Sequence, residues 1–370
     1  MNSPEEGVRL PKQLVLMQRQ IRSEPDGVRA DCLRAEHASL LARHGFQSEA
    51  EQAIVELRER YGSRPHPKVT PWINLADAIV GGRAIGPAGM VMKLRRAHAL
   101  ARASANVPMQ ALAAAWLSFA FWNVHEVELA IGHARAALRQ AAPDDHKARA
   151  RVCLVIAEIF ALAADEERAR VWFASARRHA TAAGDDASKS ALSFNTSVVQ
   201  GMLLRQASLS SLGQANPRRA ELHRAVSEHV DAVLGVPDDE RTLMERARLF
   251  SLLDRPEEAL ELYRDHPLPD DGFRYREWPV WLADEAWCRC RLGETERAFE
   301  LADAAERLLD GSTQIDDPAC VHAMLAKVYA AAGDEHRAAL NAALADEAWC
   351  RYADRQAAWA SLCAAITENG

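Results

Sequence analysis

Along most of this 370-residue chain, apolar residues return every three or four positions, the period of one helix face, over stretches of roughly 12 to 18 residues. Short breaks separate the stretches: "RHGFQSE", "GDDAS", "ANPRR", "GVPDDE", "LLDRPEE", "RLGETE" and "AAGDEH". They supply Gly, Pro and Asp where helices stop and start. Sustained alternating Val/Ile/Thr runs and Asn-Gly hairpins are absent, so the pattern predicts an all-α fold. Helices joined by short connections are antiparallel neighbours.

A longer period lies over the helical one. Small residues paired with a small or larger apolar residue four positions on recur as Ala50/Ile54, Ala130/Ala134, Ala169/Phe173, Ala259/Tyr263, Ala298/Ala302 and Ala338/Ala342. The intervals between these anchors are 80, 39, 90, 39 and 40, a period of 39 to 40 with two double steps. One double step hides a weak unit near Met90, with Leu94 and Ala97 behind it, and the other an expanded unit near Ala220. Twelve residues before each anchor stands another small residue: Ala38, Ser118, Ala157, Ala247, Ala286 and Ala326. Three positions later comes a bulky one, Leu41, Phe121, Phe160, Phe250 and Tyr329, with Arg289 the exception. Where a turn glycine exists it falls five before the anchor, at Gly45, Gly293 and Gly333. Small residues let paired helices approach, the bulky residue fills the gap between pairs, and glycine suits a left-handed helix cap.

This spacing resembles the tetratricopeptide repeat, best in "HASLLARHGFQSEAEQAIVEL" (His37–Leu57) and "LAKVYAAAGDEHRAALNAAL" (Leu325–Leu344). The resemblance covers residues 25 to 350, with a period about one helical turn longer than that family's usual ~34 residues and with its terminal Pro mostly missing. It is similar to the helical arrays of large bacterial regulators. It implies a right-handed superhelical solenoid of antiparallel helix pairs, about eight units, with a concave face lined by the first helix of each pair. The rival architecture is a closed α/α ring of the kind found in some glycan-cleaving enzymes. The implied organisation is an N-terminal extension (1–24), an N-terminal array (25–185), an irregular expanded unit (186–235), a C-terminal array (236–345) and a C-terminal capping helix (346–370).

Charge narrows the partners. With 45 Lys and Arg against 52 Asp and Glu, the net charge is −7, which argues against direct nucleic-acid binding. The start, "MNSPEEGVRLPKQ", has no basic region followed by an apolar run, and no signal peptide is expected there. The longest apolar stretch, Ala111 to Trp122, is too short to span a bilayer, so no membrane partner is expected. Seven scattered cysteines within helical patterns read as reduced, buried thiols, and a cytoplasmic location is the expectation.

Candidate chemistry is sparse. Cys288 and Cys290, two apart on a helix, point about 200° from one another and do not share an ion. His125 and His133 stand eight apart, where a helical zinc site needs four, and read as helix-surface histidines. "GDDASKS" (184–190) ends like a phosphate loop but lacks the second glycine and follows a helix; Asp185 or Asp186 capping a helix explains it. Paired acids at 143–145, 184–186, 237–240, 269–272 and 315–318 all fall in breaks before helices, as caps do. The expectation is therefore no catalytic residue, no metal, no cofactor and no enzyme. The tetratricopeptide register places on the concave face Trp72, Phe119, Trp122, Arg151, Glu158, Arg241, Met244, Arg248, Trp287 and Lys327, joined by Asn195 of the irregular unit. On an acidic chain this set is rich in arginine and aromatics, suited to holding a peptide or protein segment. The expected function is an interaction module: scaffold, adaptor or chaperone. The alternatives are a sensor array that binds a small molecule or peptide, and, behind it, an all-α hydrolase or cyclase.

One phrase occurs twice. "LADEAWCR" runs from Leu282 to Arg289 and again from Leu344 to Arg351. A separation of 62 is no multiple of the period, so the copies fall at different places in their units. The first is expected on a first helix and the second in a long terminal helix, with Trp349 and Trp359 sealing the core.

Overall fold

The computed structural model of the chain describes residues 11–210, 240–265, 277–309, 316–364 and 366–367. Among these residues there are sixteen α-helices and no strand. They are α1 (Lys12–Ser23), α2 (Gly27–Arg43), α3 (Gln47–Tyr61), α4 (Thr70–Val80), α5 (Gly82–Ala103), α6 (Val107–Asn123), α7 (Val127–Gln140) and α8 (His146–Leu162). There follow α9 (Glu166–Ala182), α10 (Asp186–Leu209), α11 (Glu240–Leu252), α12 (Pro256–Asp265), α13 (Trp278–Arg291), α14 (Thr295–Leu308), α15 (Asp317–Ala331) and α16 (Glu335–Cys363). None of them is long and apolar enough to cross a membrane.

The chain divides into two compact units. Unit 1 comprises Met1–Ala157, Glu167–Leu192 and Leu362–Gly370, and unit 2 comprises Glu158–Glu166 and Ser193–Ser361. In unit 1, α2 packs on α3, α4 on α5 and α6 on α7, while α2 also meets α4 and α4 meets α6. Two links join α8 to α9: His146 Nδ1 to His179 Nδ1 at 3.0 Å and Cys153 Sγ to Ser175 Oγ at 3.7 Å. As one index rises the other falls, so these helices are antiparallel. In unit 2 the pairs are α11 with α12 and α13 with α14, and α13 also meets α11 and α15. His322 and Asn341, 2.8 Å apart, tie α15 to α16.

The residues that set the long period explain why the pairs pack so closely. Ala38, Ser118, Ala157, Ala247 and Ala286 on first helices are fully buried, as are Ala50, Ala130, Ala259 and Ala298 on second helices; Ala169 is nearly so, whereas Ala326 and Ala338 of the last pair are only half-buried. A larger side chain at any of them would push its neighbour helix away. Leu41, Phe121, Phe160 and Tyr329 are buried at the bulky position, and Phe250 is half-buried. Leu94 and Ala97 are fully buried too. Their helix, α5, is broken at Gly86, whose φ of 65° and ψ of 176° a side chain would strain.

The turns share one geometry that glycine alone does not signal. Gly45, Gly293 and Gly333 have φ of 86°, 83° and 82°, and His125, Ala164 and Asp254 occupy the same register at 60°, 60° and 55°. In each of the six, the next residue donates its backbone N–H to the carbonyl five positions back, as Phe46 does to Leu41 and Asp165 to Phe160. The same closure recurs at Ala105 and Gly184, between helix pairs. A left-handed residue with a side chain costs about 1–2 kcal/mol. The carbonyls closed at the helix end offset that cost.

The acid-rich breaks behave in two ways. Asp145 and Asp185 cap α8 and α10, accepting from Ala148 N at 3.4 Å and Ser188 N at 2.8 Å. Asp316 precedes α15 but makes no side-chain cap bond, and it is buried. The pairs at 237–240 and 269–272 lie outside the described residues, apart from the Glu240 backbone, as does Ala220. His125 and His133 are both half-buried: His125 holds a left-handed turn rather than a helix face, and His133 stacks on Phe121 with ring centres 5.3 Å apart. All seven cysteines are free, four of them buried, with Cys350 exposed. The unbroken terminal stretch forms α16, where Trp349 and Trp359 are buried on either side of Tyr352.

Candidate functional site

In unit 1, α6 and α8 build a cation–aromatic cluster. The apolar run of α6 leaves Trp116 and Phe119 three residues apart on one face, edge to face at 5.6 Å. From α8, Arg151 lays its guanidinium 4.1 Å from the Trp116 ring centre and 5.2 Å from that of Phe119. Arg43, at the end of α2, stands 5.9 Å from Trp116 and reaches Asp185 with two nitrogens at 3.1 and 3.3 Å. It also donates to Ser188 Oγ at 2.7 Å. Burial pushes the Asp185 carboxyl up, but the Arg43 guanidinium and the Ser188 hydrogen bonds outweigh it and hold that carboxyl below the usual carboxylate range. Chemically the cluster is a guanidinium cation held near two aromatic rings that stand perpendicular to each other, a cation–π arrangement.

In unit 2 the charges go inside. Arg205 of α10 pairs with Asp284 of α13, and both side chains are buried to within 1%. Arg248 of α11 pairs with Glu245 at 2.6 Å and lies 3.7 Å from the same Asp284 oxygen that meets Arg205. Burial pushes the Asp284 carboxyl up, against the pull of Arg205 and Arg248. Burial works against the charge on Arg248 as well, but Glu245, Asp284 and Asp317 outweigh it and raise its pKa. Asp316, buried at the start of α15, is pushed up by burial while Arg248 and Arg205 draw it down. Asn195 of α10 donates to Glu158 at 2.7 Å.

The residues singled out from the sequence fall in different settings. Phe119 meets Arg151, Asn195 meets Glu158, and Arg248 joins the buried ionic cluster. Trp72, Trp122 and Trp287 are half-buried: Trp72 packs against the core of α1 to α4, and Trp287 lies beneath Arg291 at 5.6 Å. Met244 is fully buried with Ala247, Tyr263 and Trp281, and Lys327 is exposed. The Arg241 side chain lies outside the described residues.

Sequence reasoning missed Trp116, Arg43, Arg205 and Asp284. A signal existed for Asp284: it stands between Trp281 and Cys288 on the apolar face of α13, at helical spacing, where an acid is buried with a partner or not at all. Arg205 carries no such mark, because its partner stands 79 residues away.

Among the described residues no group of three or more His, Cys, Asp or Glu side chains could hold a metal ion. Fold and geometry together define an all-helical protein of consecutively packed helix pairs. Compared with known proteins, the chain matches no family model, and no curated protein is significantly similar to it.

Proposed function

We propose that this chain is a tetratricopeptide-like interaction protein: a right-handed superhelical array whose first-helix face holds a peptide or helical segment of a protein partner. The observation that carries this reading is the order of contacts. First helices meet first helices, α2 with α4 with α6 in unit 1 and α11 with α13 with α15 in unit 2, so each unit lines up three of them. Such a row presents side chains from several helices to one extended ligand. Half-buried Phe119, Trp122 and Trp287 supply rigid contact area on such a row. As scaffold, adaptor or chaperone, the protein would work through affinity alone.

Site-specific photocrosslinking tests the reading. A photoreactive amino acid replaces Phe119 or Trp287 on first helices, with Val55 and Leu340, exposed on second helices, as controls. The expected result is a saturable crosslink to one protein from the first two positions and none from the controls. Equal labelling from all four positions would overturn the proposal.

A further inference from the structure

The second half of α10 does not stay beside its neighbours in the chain. Leu204 clusters with Leu249 and Leu253 of α11 and the turn after it. Arg205 runs on to Asp284 of α13, Gln206 reaches Gln356 of α16 at 3.4 Å, and Leu209 packs against the core that α13, α14 and α15 share. Five or six residues of one helix thus lie across α11 and α13, the first helices of two successive pairs. That is how a bound helix would lie in a groove.

The seat beneath Arg205 is acidic. Glu245, Asp284, Asp316 and Asp317 gather about Arg205 and Arg248, with Lys327 of α15 also near Arg205 and Asp284. The seated arginine also fits poorly. Its Nε and Nη1 are buried without a hydrogen-bond partner, and so is Oδ1 of Asp284. Arg205 is 1% exposed and Asp284 fully buried. A guanidinium and a carboxylate facing each other can form two parallel hydrogen bonds; here the hydrogen bond is single, with polar atoms idle on both sides. The helix that carries Arg205 is rich in Ser, Thr, Asn and Gln, and between Ser193 and Leu209 only Val199, Leu204 and Arg205 are buried.

From this arrangement we infer that the acidic seat of α11, α13 and α15 recognises an arginine flanked by leucines on a partner helix, and that Leu204–Leu209 of α10 fills it in the partner's place. The inference rests on the interaction-module reading and names the chemistry of its ligand. A tethered segment competes at an effective concentration in the millimolar range, so the intact chain would bind only a partner that makes the hydrogen bonds Arg205 leaves unmade.

The probe is a fluorescent peptide of residues 197–210, SVVQGMLLRQASLS, titrated by anisotropy into the full chain. With the seat vacated by Arg205→Ala, the peptide is expected to bind at least ~10-fold more tightly than to wild type. The same peptide with Ala in place of its arginine is expected to lose that gain. A second chain, Leu204→Ala with Leu209→Ala, keeps the ion pair but removes the apolar anchors and is expected to show the same order if Arg205→Ala does not fold. Equal affinity for vacated and wild-type chains, or binding indifferent to the peptide's arginine, overturns the inference. The two proposals fail separately. A photocrosslinked partner that binds equally with and without Arg205 removes the seat and leaves the interaction module standing, whereas its absence from every position removes the module.

Discussion

The phrase LADEAWCR folds twice in this protein and is buried two different ways. On α13 the copy at Leu282–Arg289 has Leu282, Ala283, Asp284, Ala286 and Cys288 buried, with Trp287 only half-buried. On α16 the copy at Leu344–Arg351 buries Ala345, Ala348 and Trp349, and exposes Asp346, Glu347, Cys350 and Arg351. Eight identical residues make the same helix, yet the acid and the thiol change sides. The residues favour a helical backbone in both places, whereas the choice of buried face belongs to whatever packs around them.

Matched substitutions break the comparison most sharply at the acid. Asp284→Ala leaves Arg205 and Arg248 facing a lost partner, and a loss of about 3–5 kcal/mol is expected in chemical denaturation. Asp346→Ala, on the exposed side, is expected to stay within about 0.5 kcal/mol of wild type. Equal losses would mean that Asp284 is not buried with its arginines. The tryptophans reverse the order. Trp349→Ala empties a buried position between Ala345 and Tyr352 and should cost about 3–5 kcal/mol, whereas half-buried Trp287 should cost clearly less. Melting curves of the two single variants read this directly.

Alkaline pH sharpens the contrast at the thiols. Burial pushes Cys288 up from 9.0 to about 12, so the folded chain holds a proton there that the unfolded chain releases. That contribution to stability is whole below pH 9.0 and is lost as pH rises towards about 12. At pH 8, alkylation followed by mass spectrometry should label Cys350 first and leave Cys288 untouched until the chain unfolds. Simultaneous labelling of both would contradict the burial of α13.

The smallest effects belong to the arginines and the turns. Arg289 bonds Glu285 at 2.7 Å and Glu294 at 2.6 Å, while Arg351 bonds the exposed Glu347. Arg289→Ala should therefore cost up to about 1 kcal/mol, and Arg351→Ala close to nothing. At the turns, Gly293→Ala forces a side chain into left-handed backbone and should cost about 1 kcal/mol. Ala164→Gly relieves the same strain in the turn between α8 and α9 and should be neutral or slightly stabilising. A stabilised Gly293→Ala would mean that the turn is not left-handed.

Much of the helical order was legible in advance. Periodicity located the helices, and Ala50, Ala130, Ala259 and Ala298 are buried where their spacing put them. The turn glycines were legible as well, because only their missing Cβ marks a left-handed cap in sequence; His125, Ala164 and Asp254 adopt the same backbone with no such mark. For the candidate site, the register brought out Phe119, Arg151 and Arg248 but not their counterparts Trp116, Arg205 and Asp284. Trp116 stands three residues from Phe119 but is one of an unbroken run of buried apolar residues on α6, whereas Arg205 and Asp284 come from helices distant in the chain, and no local period encodes a pairing across 79 residues.

By itself the sequence determined that both copies of LADEAWCR are helical, since eight residues without Gly or Pro, rich in Ala, Leu and Glu, favour that backbone wherever they stand. Only tertiary structure decided which side chains are covered. Helices α11, α12, α14 and α15 pack around α13, and α10 reaches it through Arg205, so even an aspartate there is enclosed and paired with an arginine. Around the second copy on α16, burial is confined to the single stripe of Ala345, Ala348, Trp349 and Tyr352, and water takes the remaining faces. A helix carries every face it could bury in its sequence, and its neighbours choose among them.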